Sequence, residues 1–161
     1  MNIDKTERVF QYVRLGEFEN LKKEVKKDNV NDYINENQEN LLQEAISSKS
    51  DEIIDYLLEC KIDINHADKV GKTPLHYSAA HNDYETTKRL LKSPSIEVNK
   101  KDMHGNNPLW VATFNARGYY DIVALLKENG GNPNSKNNSN RSALDFAIQI
   151  NDEELKNILT N

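Results

Sequence analysis

The chain has one cysteine, Cys60, in 161 residues, so it can close no disulfide of its own and cannot build a cysteine-rich zinc site. A reducing compartment suits such a thiol. Cys60 reads as a small packing residue at a helix end, in a repeat that shows no obvious group to activate it as a thiolate. Long apolar runs are missing too. Nothing in MNIDKTERVFQYVRLGEFEN has the apolar core of a signal peptide, and no later stretch could span a bilayer. The expectation is a soluble, cytoplasmic protein. Positive charge is also short: 21 Lys and Arg against 26 Asp and Glu give a formal net charge of −5, the wrong sign for neutralising a phosphate backbone. Neither nucleic acid nor membrane is expected as a partner.

Reaction chemistry is equally sparse. The four histidines are His66, His76, His81 and His104. His66 stands near Asp68 and His104 near Asp102, but neither pair has a further ligand at a spacing usual for a metal. No nucleophile has a neighbouring base, and Gly71, Gly105, Gly118, Gly130 and Gly131 are spread over turns rather than gathered in a phosphate-binding loop. The expectation is a non-enzymatic chain without metal or cofactor. A hydrophobic share of 37% is low for a globular core, yet adequate for a thin solenoid that keeps much of its surface wet.

What the chain does have is repetition. In Lys72 to Leu91, KTPLHYSAAHNDYETTKRLL, Thr73 is a good helix N-cap and Pro74 fits the first helical position, whose N–H has no intrahelical partner. Leu75, Ser78 and Ala79 share one helical face, and Leu90 and Leu91 supply bulk in a second helix. Asn82 tolerates the left-handed conformation that ends the first helix. Such a hairpin is too small to bury its own core. Copies of it begin at Asn40, Asn107 and Ser142, so the four starts stand 33, 34 and 35 residues apart. Asparagines at Asn35, Asn65, Asn99 and Asn134 precede them.

At these residues the chain resembles the ankyrin-repeat family. Thr73-Pro74-Leu75-His76 matches the family's hallmark tetrapeptide, and Glu128-Asn129-Gly130-Gly131-Asn132-Pro133-Asn134 resembles its repeat ending. The resemblance covers nearly the whole chain. It implies an all-α solenoid of about five helix-turn-helix units with short β-hairpin fingers, best formed near residues 65 to 72 and 99 to 106. The units would be a capping unit at 4–34, then 35–64, 65–98 and 99–133, and a C-terminal capping unit at 134–161.

The copies differ in places. Asn35 to Asn40 is three residues shorter than Asn65 to Thr73 or Asn99 to Asn107, which predicts a truncated finger. Asn107 to Gly118 carries two residues more than Thr73 to Asn82, to be absorbed by a longer helix or a bulged turn over Thr113 to Arg117. Asn137, Asn138 and Asn140 suit turns with positive φ; Asn137-Asn138-Ser139 and Asn140-Arg141-Ser142 match the glycosylation pattern but read as turns. Lys156 stands where other units have Ile54, Thr87 and Val123, so the last helix has the polar outer side of a cap.

The resemblance also implies where a partner binds: the fingers and the first helix of each unit build a concave face. Matching positions there are Lys69, Val70, Lys72, Tyr77, Ala80 and His81, then Met103, His104, Asn106, Trp110, Thr113, Phe114 and Arg117, then Asn138, Ser139 and Arg141. His76 is expected to bond within its helix start. Trp110 replaces the usual histidine, and with Met103, Phe114 and Arg117 it makes the fourth unit the candidate hot spot; packing between helices is the alternative role for Trp110. The expected partner is another protein, met by a chain that is monomeric when free. A bare, acidic stack rich in Asn, Lys and Ile resembles the small stand-alone ankyrin proteins of bacteria, some of which are immunity proteins that bind and block a toxin. The resemblance thus implies an acidic blocker of a basic toxin domain. An effector or adaptor that recruits a cellular protein, and a regulatory subunit of an enzyme, are the alternatives.

The phasing is testable through stability. Leu75→Ala and Leu109→Ala should each cost about 2–5 kcal/mol if these leucines are buried between units; urea midpoints equal to the wild type would show that the register is wrong.

Overall fold

The computed structural model describes residues 4–161. It consists of ten helices in five antiparallel pairs: α1 (Lys5–Arg14) and α2 (Phe18–Glu24), α3 (Leu41–Ser47) and α4 (Asp51–Glu59), α5 (Pro74–Ala80) and α6 (Tyr84–Leu91), α7 (Pro108–Asn115) and α8 (Asp121–Glu128), α9 (Ala143–Gln149) and α10 (Glu153–Thr160). The first helices α1, α3, α5, α7 and α9 pack in one row, and α6, α8 and α10 pack in a second. In α2 and α4 the second row continues through Phe18, whose ring meets Tyr56 edge-on with centroids 5.6 Å apart. The Tyr56 hydroxyl donates to the Val25 carbonyl at 2.8 Å.

The helix starts lie where the sequence places them. Asn40 Oδ1 accepts the amides of Leu42 and Gln43, while Gln43 Oε1 accepts the Asn40 amide at 2.8 Å. Asn107 Oδ1 takes the Trp110 amide at 2.9 Å, and Ser142 with Asp145 repeats the reciprocal pair. Each of these bonds satisfies an amide that the helix itself leaves unpaired. Leu42, Leu75 and Leu109, each two residues past such a cap, are fully buried, as is Leu57; Leu90, Leu126 and Leu159 are at most 1% exposed. These leucines form the seam between the two rows.

Between units the backbone runs out into four fingers that are closed by turns, and the described residues contain no strand. A lone antiparallel bridge joins Ile34 and Asn40. The expected hairpins are therefore present as hydrogen-bonded turns: Gly71 N–H donates to Asp68 O and Asp68 N–H to Lys72 O, with the same pair at Asp102, Asn137 and Asn35. In each finger one side-chain oxygen accepts two amides. Asp68 Oδ1 takes Val70 and Lys72; Asp102 Oδ1 takes His104 and Asn106; Asn137 Oδ1 takes Ser139 and Arg141; Asn35 Oδ1 takes Asn37 and Glu39. Successive fingers are then joined: Lys69 N–H donates to Asn37 O at 3.0 Å, Met103 N–H to Val70 O at 2.9 Å, and Asn138 N–H to His104 O at 2.9 Å.

This register corrects one expectation. Asn35 is the partner in kind of Asp68 and Asp102, not of Asn65 and Asn99, so the finger that begins at Asn35 is of full length. The asparagine equivalent to Asn65 and Asn99 is Asn31. Each of the three reaches across to the next unit: Asn31 donates to Lys61 O and accepts from Asp63 N–H, Asn65 donates to Ser95 O and accepts from Glu97 N–H, and Asn99 donates to Gly130 O and accepts from Asn132 N–H. The chain from Asn31 to Asn35 is one residue longer than that from Asn65 to Asp68 or from Asn99 to Asp102, so nothing is truncated there.

The two extra residues of the fourth unit are absorbed in both ways. Helix α7 has eight residues where α5 has seven, and the turn after it takes two positive-φ residues in succession, Arg117 at 46° and Gly118 at 89°. The third unit turns on Asn82 alone, at 54°. Among the asparagines of the last finger only Asn140 has positive φ, at 56°. The C-terminal unit is less polar than expected: Lys156 is half-buried, but Ile148, where inner units bury Ala79 and Thr113, is 54% exposed.

Gly105 and Gly118 separate backbone strain from finger stacking. Both have positive φ, at 78° and 89°, so alanine costs each about 1–2 kcal/mol. A Cβ at Gly105 would also lie 2.8 Å from Asn138 N, whereas one at Gly118 meets nothing within 4 Å. Gly105→Ala should therefore lower the urea midpoint further than Gly118→Ala; equal losses would show that the fingers do not touch.

Candidate functional site

Because the fingers are clamped at fixed spacing, the side chains at their tips and bases stand in rows with the first helices. Tyr77, on α5, shows how the two meet. Its hydroxyl lies 2.6 Å from Glu39 Oε1, at the base of the preceding finger, and 2.8 Å from Asp68 Oδ2. A hydroxyl has one hydrogen, so it serves one carboxylate at a time. Burial, then the hydrogen bonds to Glu39 and Asp68, raise the Tyr77 pKa well above its ordinary value.

In α5 the position four residues after the helix cap thus faces the fingers. Phe146 holds that position in α9, and it was not among the residues the sequence singled out. The signal was available, since Phe146 follows Ser142 as Tyr77 follows Thr73. Phe146 completes an aromatic cluster. Trp110 and Phe114 stack with centroids 5.2 Å apart and planes at 10°, and Phe146 lies 6.4 Å from Trp110 and 5.4 Å from Phe114. Phe114 is 55% exposed, while Trp110 and Phe146 are half-buried. Trp110 therefore packs between helices and also floors an exposed shelf.

The cause lies in the replaced histidine. At the third position of α3, Gln43 donates to Lys72 O at 2.8 Å, and at that of α5 His76 Nε2 donates to Asn106 O at 3.0 Å. Each bond ties a helix to the next finger. Trp110 occupies the third position of α7, and its indole N–H is buried without a partner. Stacking on Phe114 and Phe146 holds the fourth and fifth units together there instead.

The remaining candidates divide by place. Lys69 and Val70 sit on the third unit's finger with Lys72 at its base; Met103, 58% exposed, and His104 are on the next finger with Asn106 at its base; Arg141 is at the base of the last. His81 and Arg117 are exposed at the far ends of α5 and α7. Ala80, Asn138 and Ser139 are exposed as expected, but Thr113 is only 2% exposed and its hydroxyl donates to Leu109 O, so it is not part of the surface. Among the described residues no three His, Cys, Asp or Glu side chains gather as metal ligands would, and no helix is long and apolar enough to cross a membrane. Cys60 is buried at the end of α4.

Helix pairs, capped starts and stacked fingers at this period make a repeat array, and comparison with known families agrees. The profile described as ankyrin repeats (3 copies) matches residues 10–102 and 42–137. The chain belongs to the ankyrin-repeat family. Among curated proteins, this ankyrin chain is 32% identical over 83 residues to a transient receptor potential cation channel subfamily A member 1 homolog of Caenorhabditis elegans, covering 52% of this chain and 7% of that protein. It is 27% identical over 110 residues to mouse Rabankyrin-5, covering 68% and 9%. It is 28% identical over 85 residues to human ankyrin repeat domain-containing protein 13B, covering 53% and 13%. The chain spans only 7–13% of the length of these relatives.

In this ankyrin stack His76 has a structural task. Its Nδ1 accepts the Thr73 amide at 3.1 Å, and its Nε2 faces Asn106 O, so the neutral Nε2–H form fits both partners. Burial lowers its pKa, with Lys72 adding to the effect, against opposing contributions from the Asn106 carbonyl, Asp102 and Asp68. A folded-state pKa below the unfolded one means that His76 favours folding above the unfolded value, about 6.5. That contribution is lost as pH falls through the lower folded value. His76→Gln, which copies Gln43, should keep the helix start and flatten the loss of stability on acidification below pH of about 6; an unchanged pH profile of the urea midpoint would contradict this.

Proposed function

We propose that this chain is a non-enzymatic module that binds another protein on the face made by its fingers and first helices, with the fourth unit as the energetic centre. The exposed shelf of Trp110, Phe114 and Phe146 carries the reading, because aromatic side chains with arginine nearby are the residues that dominate interface energies. The relatives support a shared surface role rather than shared chemistry. The stretch they have in common with this chain is a small part of proteins as different as a cation channel subfamily member homolog and Rabankyrin-5.

The finer reading is of a monomeric, cytoplasmic bacterial immunity protein that holds a basic toxin domain. Its support is the net charge of −5 together with Glu39 and Asp68 beside the Tyr77 hydroxyl. Recruitment of a cellular protein, as an effector or adaptor would do, draws instead on the shelf. Both readings use the same face and differ in the partner.

With the partner recovered by co-purification, Phe114→Ala and Arg117→Ala should each weaken binding by about 2 kcal/mol or more if they are hot spots. Alanine at Lys88 or Lys127, on second helices, should change the measured Kd little. Undiminished affinity of the Phe114→Ala/Arg117→Ala double variant would place the interface elsewhere.

A further inference from the structure

The candidate residues are themselves charged opposite to the protein as a whole, with Asp68, Asp102 and Glu39 as the acids of the same fingers. Of the eleven residues Lys69, Val70, Lys72, His81, Met103, His104, Asn106, Trp110, Phe114, Arg117 and Arg141, none is acidic and four are Lys or Arg, in a chain of net charge −5. None of these four cations is in an ion pair among the described residues. The other arginines are all paired: Arg8 with Glu24, Arg14 with Glu7 and Glu44, and Arg89 with Asp51 and Asp55. Only Arg117 and Arg141, in the units that form the shelf, are left without a carboxylate.

The carboxylates near this face are already engaged. Asp68 accepts two finger amides and lies against the Tyr77 hydroxyl, and Asp102 accepts two finger amides. Asp145 pairs with Lys136 and caps its helix through Ser142. Glu39 is held by Asn35 and Tyr77, and Glu44 by Arg14. Arg117, just past the end of α7, and Arg141, just before the start of α9, are thus the arginines left without a carboxylate on the two helices that carry the shelf.

We propose that the shelf of Trp110, Phe114 and Phe146 takes an acidic protein segment. An aromatic or branched apolar side chain of that segment seats on the rings, and its carboxylates meet Arg117 and Arg141. The proposal rests on the reading of this face as the interaction surface and deepens it by naming the partner's chemistry. Complementary local charge fixes register and excludes wrong partners, whereas the net charge of −5 acts at longer range. A nucleic acid strand also offers anions and stacking faces. The overall negative charge opposes it, and an isolated shelf spans no run of successive bases.

Trp110 is the only tryptophan, so its fluorescence reads occupancy of the shelf in the full chain. The probes are three short synthetic peptides, one of Glu and Phe, one of Glu and Ala, and one of Lys and Phe, together with a single-stranded oligothymidine. The Glu and Phe peptide should give a saturable change in Trp110 fluorescence that weakens with added salt, and it should bind tightest of the four. The Arg117→Glu/Arg141→Glu variant should bind it at least about tenfold more weakly and should gain affinity for the Lys and Phe peptide. Tighter binding of the Lys and Phe peptide or of the oligothymidine to the wild type would overturn the proposal, as would unchanged affinity in the double variant or no saturable signal. If the basic peptide wins and Phe114→Ala still abolishes its binding, the partner chemistry fails and the surface stands. If peptide binding is indifferent to Phe114→Ala, the surface itself fails.

Discussion

One hydrogen-bonding device recurs through the structure and the rest depends on it. At Asn35, Asp68, Asp102 and Asn137 a single side-chain oxygen gathers two amides of its own finger. A finger has too little apolar surface to hold its own shape, and its amides would otherwise be solvated and mobile. With the turn closed locally, the amide and carbonyl at adjacent tips are aimed at the neighbouring fingers, and the ladder from Asn37 to Asn138 can form. The buried leucines hold the helices together, while the fingers fix the spacing at which the units present their side chains.

That spacing decides what the surface can do. Gln43 and His76 each spend a polar side chain on tying a helix to the next finger. Trp110 gives up that bond and substitutes a ring that stacks on Phe114 and Phe146. The change leaves a buried indole N–H without a partner, a local cost. In exchange, the fourth and fifth units expose an apolar shelf on a rigid frame with free cations around it. The protein's formal charge describes its long-range field, while near the shelf Arg117 and Arg141 have no carboxylate partner and the nearby acids Asp102 and Asp145 are held by finger and cap hydrogen bonds.

Much of the frame was legible in the sequence because its signals are local. Thr73-Pro74, Asn107-Pro108 and Ser142 announce helix starts through bonds made within three residues, and Asn82 ends a helix by its own tolerance of positive φ. The first finger was misread for a physical reason: NVNDYINENQEN offers asparagines at Asn29, Asn31, Asn35, Asn37 and Asn40, and only contacts across to the next unit distinguish Asn31 from Asn35. Strands were expected in the fingers, but each is so short that its Asx turn uses up the amides a strand would pair. Phe146 was missed because its importance comes from Trp110 and Phe114 in the preceding unit, more than thirty residues away.

The claim on which this account stands is that the fingers form one hydrogen-bonded ladder. Native-state amide hydrogen exchange tests it directly at Lys69, Met103 and Asn138, three exposed residues whose amides are the rungs. The account predicts that these amides exchange slowly, in step with those of α5 and α7, because opening a rung requires separating adjacent units. Exchange at the rate of an unstructured chain, with the helices still protected, would contradict it.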